Sequence, residues 1–240
     1  MTERGRSGNP LWIAYETVAM VIGLGSLALI CLGWLPFALL LQPLLPKRWA
    51  QPIGRGFITR GFRFYLRLLE IFCACRFDLQ ELDRLRDSGP LIVAANHPSL
   101  LDAVMIVSRL PNAVCVMKAS LMDNLLFGAA ARLARYIRND APLEMILNAR
   151  QALHDGARLV IFPEGTRTAN FPLDPCSPST GLVANRARVP VQTVLIEFST
   201  PYLGKAWPLF RRPQLPLSCR IRLGRRFEPP SNVQAFTAEI

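Results

Sequence analysis

Pro90-Leu91-Ile92-Val93-Ala94-Ala95-Asn96-His97-Pro98-Ser99-Leu100-Leu101-Asp102 passes abruptly from an apolar run to a cluster of polar side chains. The run Pro90–Ala95 carries no charge and contains adjacent β-branched residues, which predicts a short strand buried on both faces. In open α/β sheets ligands bind at the carboxyl edge of the strands, which is where Asn96 and His97 would emerge. Pro98 stands where a first helical turn would begin, and Ser99 reads as its cap. Five positions separate His97 from Asp102, so the carboxylate can fold back onto the imidazole. A carboxylate on one ring nitrogen fixes the tautomer and leaves the other nitrogen free to take a proton from a hydroxyl. The same residues also suit a capped helix with a satisfied histidine.

Strands and helices alternate on either side of this segment. A helix is expected over Leu100–Arg109, a strand over Val114–Met117, helix over Ser120–Leu133 and a brief strand at Tyr136–Ile137. Pro142–His154 reads as a helix ended by Gly156, and Leu159–Phe162 as another buried strand. Val191–Glu197 and Arg220–Leu223 complete the set, while proline-rich Thr168–Ser179 reads as a loop. Such alternation predicts an α/β fold with a mixed, mostly parallel central sheet flanked by helices. A second polar constellation, Phe162-Pro163-Glu164-Gly165-Thr166-Arg167, again follows directly on a buried strand. Gly165 permits a tight backbone approach, Thr166 offers a hydroxyl, and Arg167 supplies a fork suited to phosphate. Glu164 is placed to hold Arg167 or a neighbouring amide, although a tight turn with a surface arginine would look the same.

The 240 residues suffice for one such domain, residues 76–240, preceded by a helical anchoring region, residues 1–75. Hydrophobic residues make up 51% of the chain, and the thirty positions from Thr17 to Pro46 hold no charge at all. After a polar flank, Met1–Pro10, the apolar stretch from Leu11 to about Trp34 exceeds the roughly 20 residues needed to cross a bilayer core. It is expected to break at Pro36, with Phe37–Leu45 as a second, shorter apolar piece. Two geometries follow: a tilted spanning helix, or a helix with a short return into one leaflet. A cleavable signal peptide fits poorly, because the run is too long and lacks a cleavage site. Lys47, Arg48, Arg55, Arg60, Arg63 and Arg67 follow it, which places the downstream domain in the cytoplasm, on the inner face of the plasma membrane. Within Phe57–Phe72, Ile58, Gly61, Phe62, Tyr65, Leu69 and Phe72 share one helical face opposite Arg60, Arg63 and Arg67. That is either a helix lying among lipid head groups or a core helix with a solvated edge.

A net charge of +11 draws the chain to anionic surfaces. It has no zinc-finger spacing, RNA-binding aromatic strand or basic-zipper pattern, so anionic membrane lipids are the expected partner and nucleic acid is not. Six scattered cysteines and two histidines argue against a metal site and for free thiols in a reducing compartment, with a thiol nucleophile beside His97 left open. No G-x-S-x-G elbow is present for a serine hydrolase. A membrane adaptor would explain the basic helix and anchor but not two polar clusters at strand ends. An apparent helix start at Asn232–Ile240 comes just before the sequence stops, which leaves room for a longer natural chain.

In order and separation, Asn96-His97-x4-Asp102 and Phe162–Arg167 resemble the N-H-x4-D and F-P-E-G-T-R motifs of the lysophospholipid acyltransferase family, whose bacterial members acylate 1-acylglycerol-3-phosphate. The resemblance runs from about Phe77 to Pro230. Lys118, on the strand after the first helix, resembles the lysine that this family points at acceptor phosphate. Tyr136-Ile137-Arg138 matches the end of its second motif, with Ala134 or Arg135 where a glycine is usual. Val189-Pro190-Val191 matches the fourth, with Thr193 in place of a second proline. The resemblance implies acyl transfer from acyl-CoA or acyl-carrier protein, as co-substrate rather than cofactor, to a lysophospholipid hydroxyl. It implies His97 as base, Asp102 as orienter, and Asn96, Ser99, Lys118, Arg138, Glu164, Gly165, Thr166 and Arg167 around the substrate. Backbone amides near Gly165 would face the oxyanion. The two departures leave a more specialised lipid acceptor open, and oligomeric state is unspecified.

Overall fold

In the computed structural model, which describes residues 9–240, two long helices come first: α1 (Pro10–Leu44) and α2 (Lys47–Phe72). Then follow β1 (Cys75–Asp78), a 3-10 turn (Gln80–Leu85), β2 (Leu91–Ala95), α3 (Asp102–Arg109), β3 (Ala113–Met117), α4 (Ala119–Asp123), α5 (Leu125–Leu133) and β4 (Ile137–Arg138). The chain closes with α6 (Pro142–His154), β5 (Arg158–Ile161), α7 (Ser179–Ala187), β6 (Val191–Phe198), β7 (Leu217–Phe227) and α8 (Val233–Glu239). Residues 1–8 of the polar flank and of the expected 1–75 region lie outside the described residues.

The seven strands make one sheet in the order β1-β7-β6-β2-β5-β3-β4. β6, β2, β5, β3 and β4 are parallel to one another, β7 is antiparallel to β6, and β1 is parallel to β7. This is the mixed, mostly parallel α/β sheet that the sequence predicts. β2 sits at its middle with all five residues buried, because helices cover both faces and leave no position for a charge. One face packs Val93, Val160, Val194 and Ile196 against α1, α2 and α3; the other packs Ile92, Val114, Leu159 and Ile161 against α6, α7 and α8.

Several boundaries differ from expectation. Helix α3 begins at Asp102 rather than Leu100, so Ser99 belongs to the preceding turn and is not its cap. The helix expected over Ser120–Leu133 is two, split at Asn124, whose side chain accepts from the amides of Leu126 and Phe127 and starts a new helix. β7 spans eleven residues rather than four, with Ser218, Arg220 and Arg222 on one face and Leu217, Cys219 and Ile221 buried on the other. β1 and α7 were not expected; α7 contains Gly181 and Asn185, weak helix formers that hide its pattern.

The break expected at Pro36 does not occur, for α1 is continuous over 35 residues. A proline removes one backbone donor and crowds one carbonyl, which this helix tolerates because side-chain packing holds it on both sides. Trp34, Leu35 and Leu41 pack with Ala38, Ala50, Ala129 and Leu133. The helix ends instead at Leu44, where Leu45 is extended ahead of Pro46.

α1 and α2 form an antiparallel hairpin laid along the domain. The Tyr15 hydroxyl donates to Phe72 O at 3.1 Å and the Cys73 thiol to Ala19 O at 3.3 Å. A Cβ on Gly23 would stand 3.3 Å from Leu69 Cδ2. Trp12, Tyr15, Ala19, Ile22 and Ile30 join the same core as the sheet, while Leu11, Val18, Val21, Leu29, Leu32 and Leu40 stay exposed on the outer side. Along α2, Ile58, Tyr65, Leu66 and Leu69 are buried, and Arg60, Arg63 and Arg67 are exposed together with Phe57, Phe64 and Ile71. Phe72, expected on the inner face, is half exposed at the helix end. α2 also passes close to α5: a Cβ on Gly54 would meet Ala134 N at 2.9 Å.

Candidate active site

The parallel strands end together at one edge of the sheet, and the two polar constellations leave it side by side from the neighbouring strands β2 and β5. After Ala95 the chain turns out of the sheet. Asp102, at the first turn of α3, aims back under the loop it has just left. Its Oδ2 accepts from His97 Nδ1 at 2.8 Å and from the Ser99 amide at 2.7 Å. The His97 ring stacks on Phe162, with centroids 3.9 Å apart and planes at 15°. Two constraints therefore fix the imidazole, one on its edge and one on its face. Nε2 has no protein partner among the described residues, and the side chain remains 18% exposed.

Asp102 is fully buried. Burial pushes its carboxyl up to about 6, against the opposing pull of the imidazole and the Ser99 amide. Its other oxygen, Oδ1, is buried without a partner. A charge held in so dry a site is available to stabilise an imidazolium at short range.

The remaining residues of the two motifs divide into those that build the site and those that face its opening. Asn96 and Glu164 belong to the first group, in place of the substrate contacts expected of them. Asn96 donates to Ile196 O and Pro172 O and accepts from the Ile196 amide at 2.7 Å, so both ends of its amide are bound. Glu164 accepts from the His97 amide at 3.1 Å, from Thr168 Oγ1 at 2.6 Å and from the Asp174 amide at 3.2 Å. It ties the β5 loop to the histidine's own backbone rather than to Arg167. Ser99, fully buried, accepts from the Leu101 amide through Oγ at 3.2 Å rather than bonding to the His97 ring.

Gly165 takes φ +69°, the left-handed turn that glycine allows without strain. Its amide closes that turn on Phe162 O at 3.0 Å. Thr166 is exposed. The Arg167 guanidinium donates through Nη1 to Leu203 O at 2.9 Å and Gly204 O at 2.5 Å, which fixes it to the β6–β7 connection.

Lys118 is exposed at the end of β3, on the same edge. Arg138 is beside it, since Met117 and Arg138 pair between β3 and β4. Its fork is already filled by Asp140, at 2.7 Å, and Asp123, at 2.5 Å. The six cysteines are free. Burial pushes those of Cys75 and Cys115 up to about 12 and raises Cys176 as well. That is the opposite of an activated thiol, and no cysteine bonds to His97.

Sequence reasoning missed Thr168, which grips the His97 backbone from both sides: its Oγ1 accepts from the His97 amide at 2.9 Å and its own amide donates to His97 O at 2.8 Å. It also missed the roles of the Phe162 ring and of the Leu203 and Gly204 carbonyls. Nothing in the local sequence marks the last two, because they arrive from a connection more than thirty residues downstream.

A family model described as Acyltransferase matches residues 57–197. The human 1-acyl-sn-glycerol-3-phosphate acyltransferase beta is 28% identical over 161 residues, covering 62% of this chain and 54% of that protein. The mouse alpha counterpart is 26% identical over 219 residues, covering 86% of this chain and 72% of that protein. Against the human protein, and others that it matches, the chain spans about half of the relative's length. Among solved structures, the 1-acyl-sn-glycerophosphate (LPA) acyltransferase of Thermotoga maritima superposes with a TM-score of 0.65 over 93% of both chains at 16% identity, a likeness of fold.

Proposed function

The chain belongs to the acyltransferase family, and on that footing we propose that it moves a fatty acyl group from a thioester to the free hydroxyl of a lysophospholipid, 1-acylglycerol-3-phosphate first among them. One observation carries the reading: an imidazole anchored by a buried carboxylate at 2.8 Å presents its free nitrogen at the strand edge where the Phe162–Arg167 loop also ends. His97 Nε2 takes the hydroxyl proton as the oxygen attacks the thioester carbonyl. The tetrahedral intermediate collapses with loss of the thiolate, which recovers that proton from the imidazolium. No acyl-enzyme is required, and neither the raised thiols nor the buried Ser99 offers one.

Lys118 and Arg167 are the cations best placed for the acceptor's phosphate. Arg167 is held by Nη1 alone, so Nε and Nη2 remain to meet an anion, and a charge fixed in advance makes the attack effectively intramolecular. Arg138 would join them by exchanging one of its carboxylates for phosphate. The amides of Thr166 and Arg167, next to Gly165 and without acceptors among the described residues, are the candidates for the oxyanion. The donor is acyl-CoA or acyl-carrier protein.

The packing of α1 along the domain favours a helix lying in one leaflet over one that crosses the bilayer, since its inner side is occupied from Trp12 to Leu41. The basic residues after Pro46 favour the cytoplasmic face. Purified protein given acyl-CoA and 1-acylglycerol-3-phosphate should form phosphatidic acid, detected by mass spectrometry, in equal amount with free thiol. Thiol release of the same size without any acceptor would make the protein a thioesterase instead.

A further inference from the structure

Each connection at the catalytic edge of the sheet exposes a large apolar side chain. Leu100 follows β2, Leu125 and Phe127 follow β3, Leu143 follows β4, Phe171 follows β5, and Leu209 and Phe210 follow β6. Loops and first helical turns that face only solvent do not ordinarily do this in concert, whereas a rim that rests on a bilayer does. The β6–β7 connection, residues 199–216, is the most pronounced case. Phe210 is 78% exposed and Leu209 55%, although the root of the loop is firmly held.

On one side Leu203 O accepts from the Leu100 amide at 3.2 Å, and Arg167 donates to Leu203 and Gly204. On the other side Glu16 of α1 accepts from the Leu215 amide at 3.2 Å, and Arg212 approaches its second oxygen at 3.4 Å. Between these anchors Trp207 packs edge-on against buried Tyr202, and the Arg211 guanidinium lies 4.6 Å above the indole. From Phe198 to Phe227 there is no acidic residue, while Lys205, Arg211 and Arg212 flank the tip. A cleft of about 340 Å³, lined by Glu16, Trp207, Arg211, Arg212 and Gln214, opens where the loop meets α1.

We propose that the tip of the β6–β7 connection is a second membrane contact, with Leu209 and Phe210 inserted into the leaflet beside α1 and Lys205 and Arg211 at the level of anionic phospholipid phosphates. An apolar tip on a rigid mount loses little freedom on insertion. Basic side chains beside an exposed apolar pair are the set that settles at a bilayer interface, the apolar groups below the phosphates and the charged ends among them. The loop that enters the membrane is also the loop whose carbonyls hold Arg167, so the contact fixes the height of the candidate site above the lipid. The inference rests on the membrane-bound reading given above.

The test is flotation of the full chain on vesicles of phosphatidylcholine, with and without phosphatidylglycerol, at lipid concentrations below saturation. The double variant Leu209→Ser, Phe210→Ser should partition about tenfold less well, and Leu209→Met with Phe210→Leu should partition like the parent. Lys205→Gln with Arg211→Gln should lose the preference for vesicles containing phosphatidylglycerol. Turnover on a short-chain acceptor dissolved as monomers should be unchanged in all three. The single serine variants, read in the same way, serve if the double variant fails to fold. Undiminished flotation of the serine variants overturns the proposal. So does an equal loss of turnover on the dissolved acceptor, which would put the loop inside the acceptor site. If the protein transfers no acyl group at all, flotation still reads the loop, so the two failures are distinguishable.

Discussion

At the scale of single residues, the candidate chemistry depends on a carboxylate that the fold makes uncomfortable. Asp102 has one oxygen bound twice and the other buried without a partner. Burial holds its carboxyl near 6, so acid should silence the site before it unfolds the protein. A neutral Asp102 no longer steadies an imidazolium, and kcat/KM should fall as pH drops through about 6. The linkage to stability has the opposite sign. A pKa raised in the folded state means that folding takes up a proton, so this group favours the folded chain as pH falls from 6 toward the ordinary carboxylate range and disfavours it above. Pairing a pH–rate profile with thermal melting at each pH checks both halves; activity that declines only where the protein melts would contradict this role. His97, Asp102 and Arg167 were legible because each sits in a short polar motif directly after a buried strand. Thr168 was not, since its importance comes from meeting the backbone of a residue 71 positions earlier.

Among the elements, the two motif loops act as one because Glu164 bridges them. Glu164→Ala would leave the Thr168 hydroxyl and the Asp174 amide short of an acceptor and the His97 amide on Thr168 Oγ1 alone, at a cost of about 1–3 kcal/mol for each orphaned group that water cannot reach. A lower melting temperature together with a large loss of kcat is expected, and a smaller loss of both for Glu164→Gln. Wild-type kcat in Glu164→Ala would separate the bridge from the chemistry. The central strands were readable from the sequence because parallel strands covered on both faces are uninterrupted apolar runs. β7 was underestimated because its exposed face carries arginines, which break the run while preserving the alternation. Pro36 misled for a related reason: a local rule about helix breaking gave way to packing against α5 and the start of α2, which only the assembled fold supplies.

At the scale of the whole molecule, large apolar side chains among the described residues are exposed on the outer side of α1, along α2 and on the segments that leave the strands at the catalytic edge, and Arg60, Arg63 and Arg67 are exposed on α2. A charge placed on the outer side of α1, as in Leu29→Lys, should weaken vesicle binding several-fold while leaving the circular dichroism spectrum and the melting temperature unchanged. A bulky residue on the inner side, as in Gly23→Leu, should lower the melting temperature, because Leu69 already fills that space. Equal effects from the two would mean that α1 does not lie along the domain. The domain boundary read from the sequence, between residues 75 and 76, falls within β1, and the helices before it share their core with the sheet.

The most direct test of the account is the rate of acyl transfer in His97→Ala, with the fold verified by circular dichroism. A positioned base contributes about 10²–10⁴-fold, so acceptor-dependent thiol release should drop by at least a hundredfold while binding to vesicles stays intact. A variant that keeps more than about a tenth of the parent's rate would show that the proton leaves by another route.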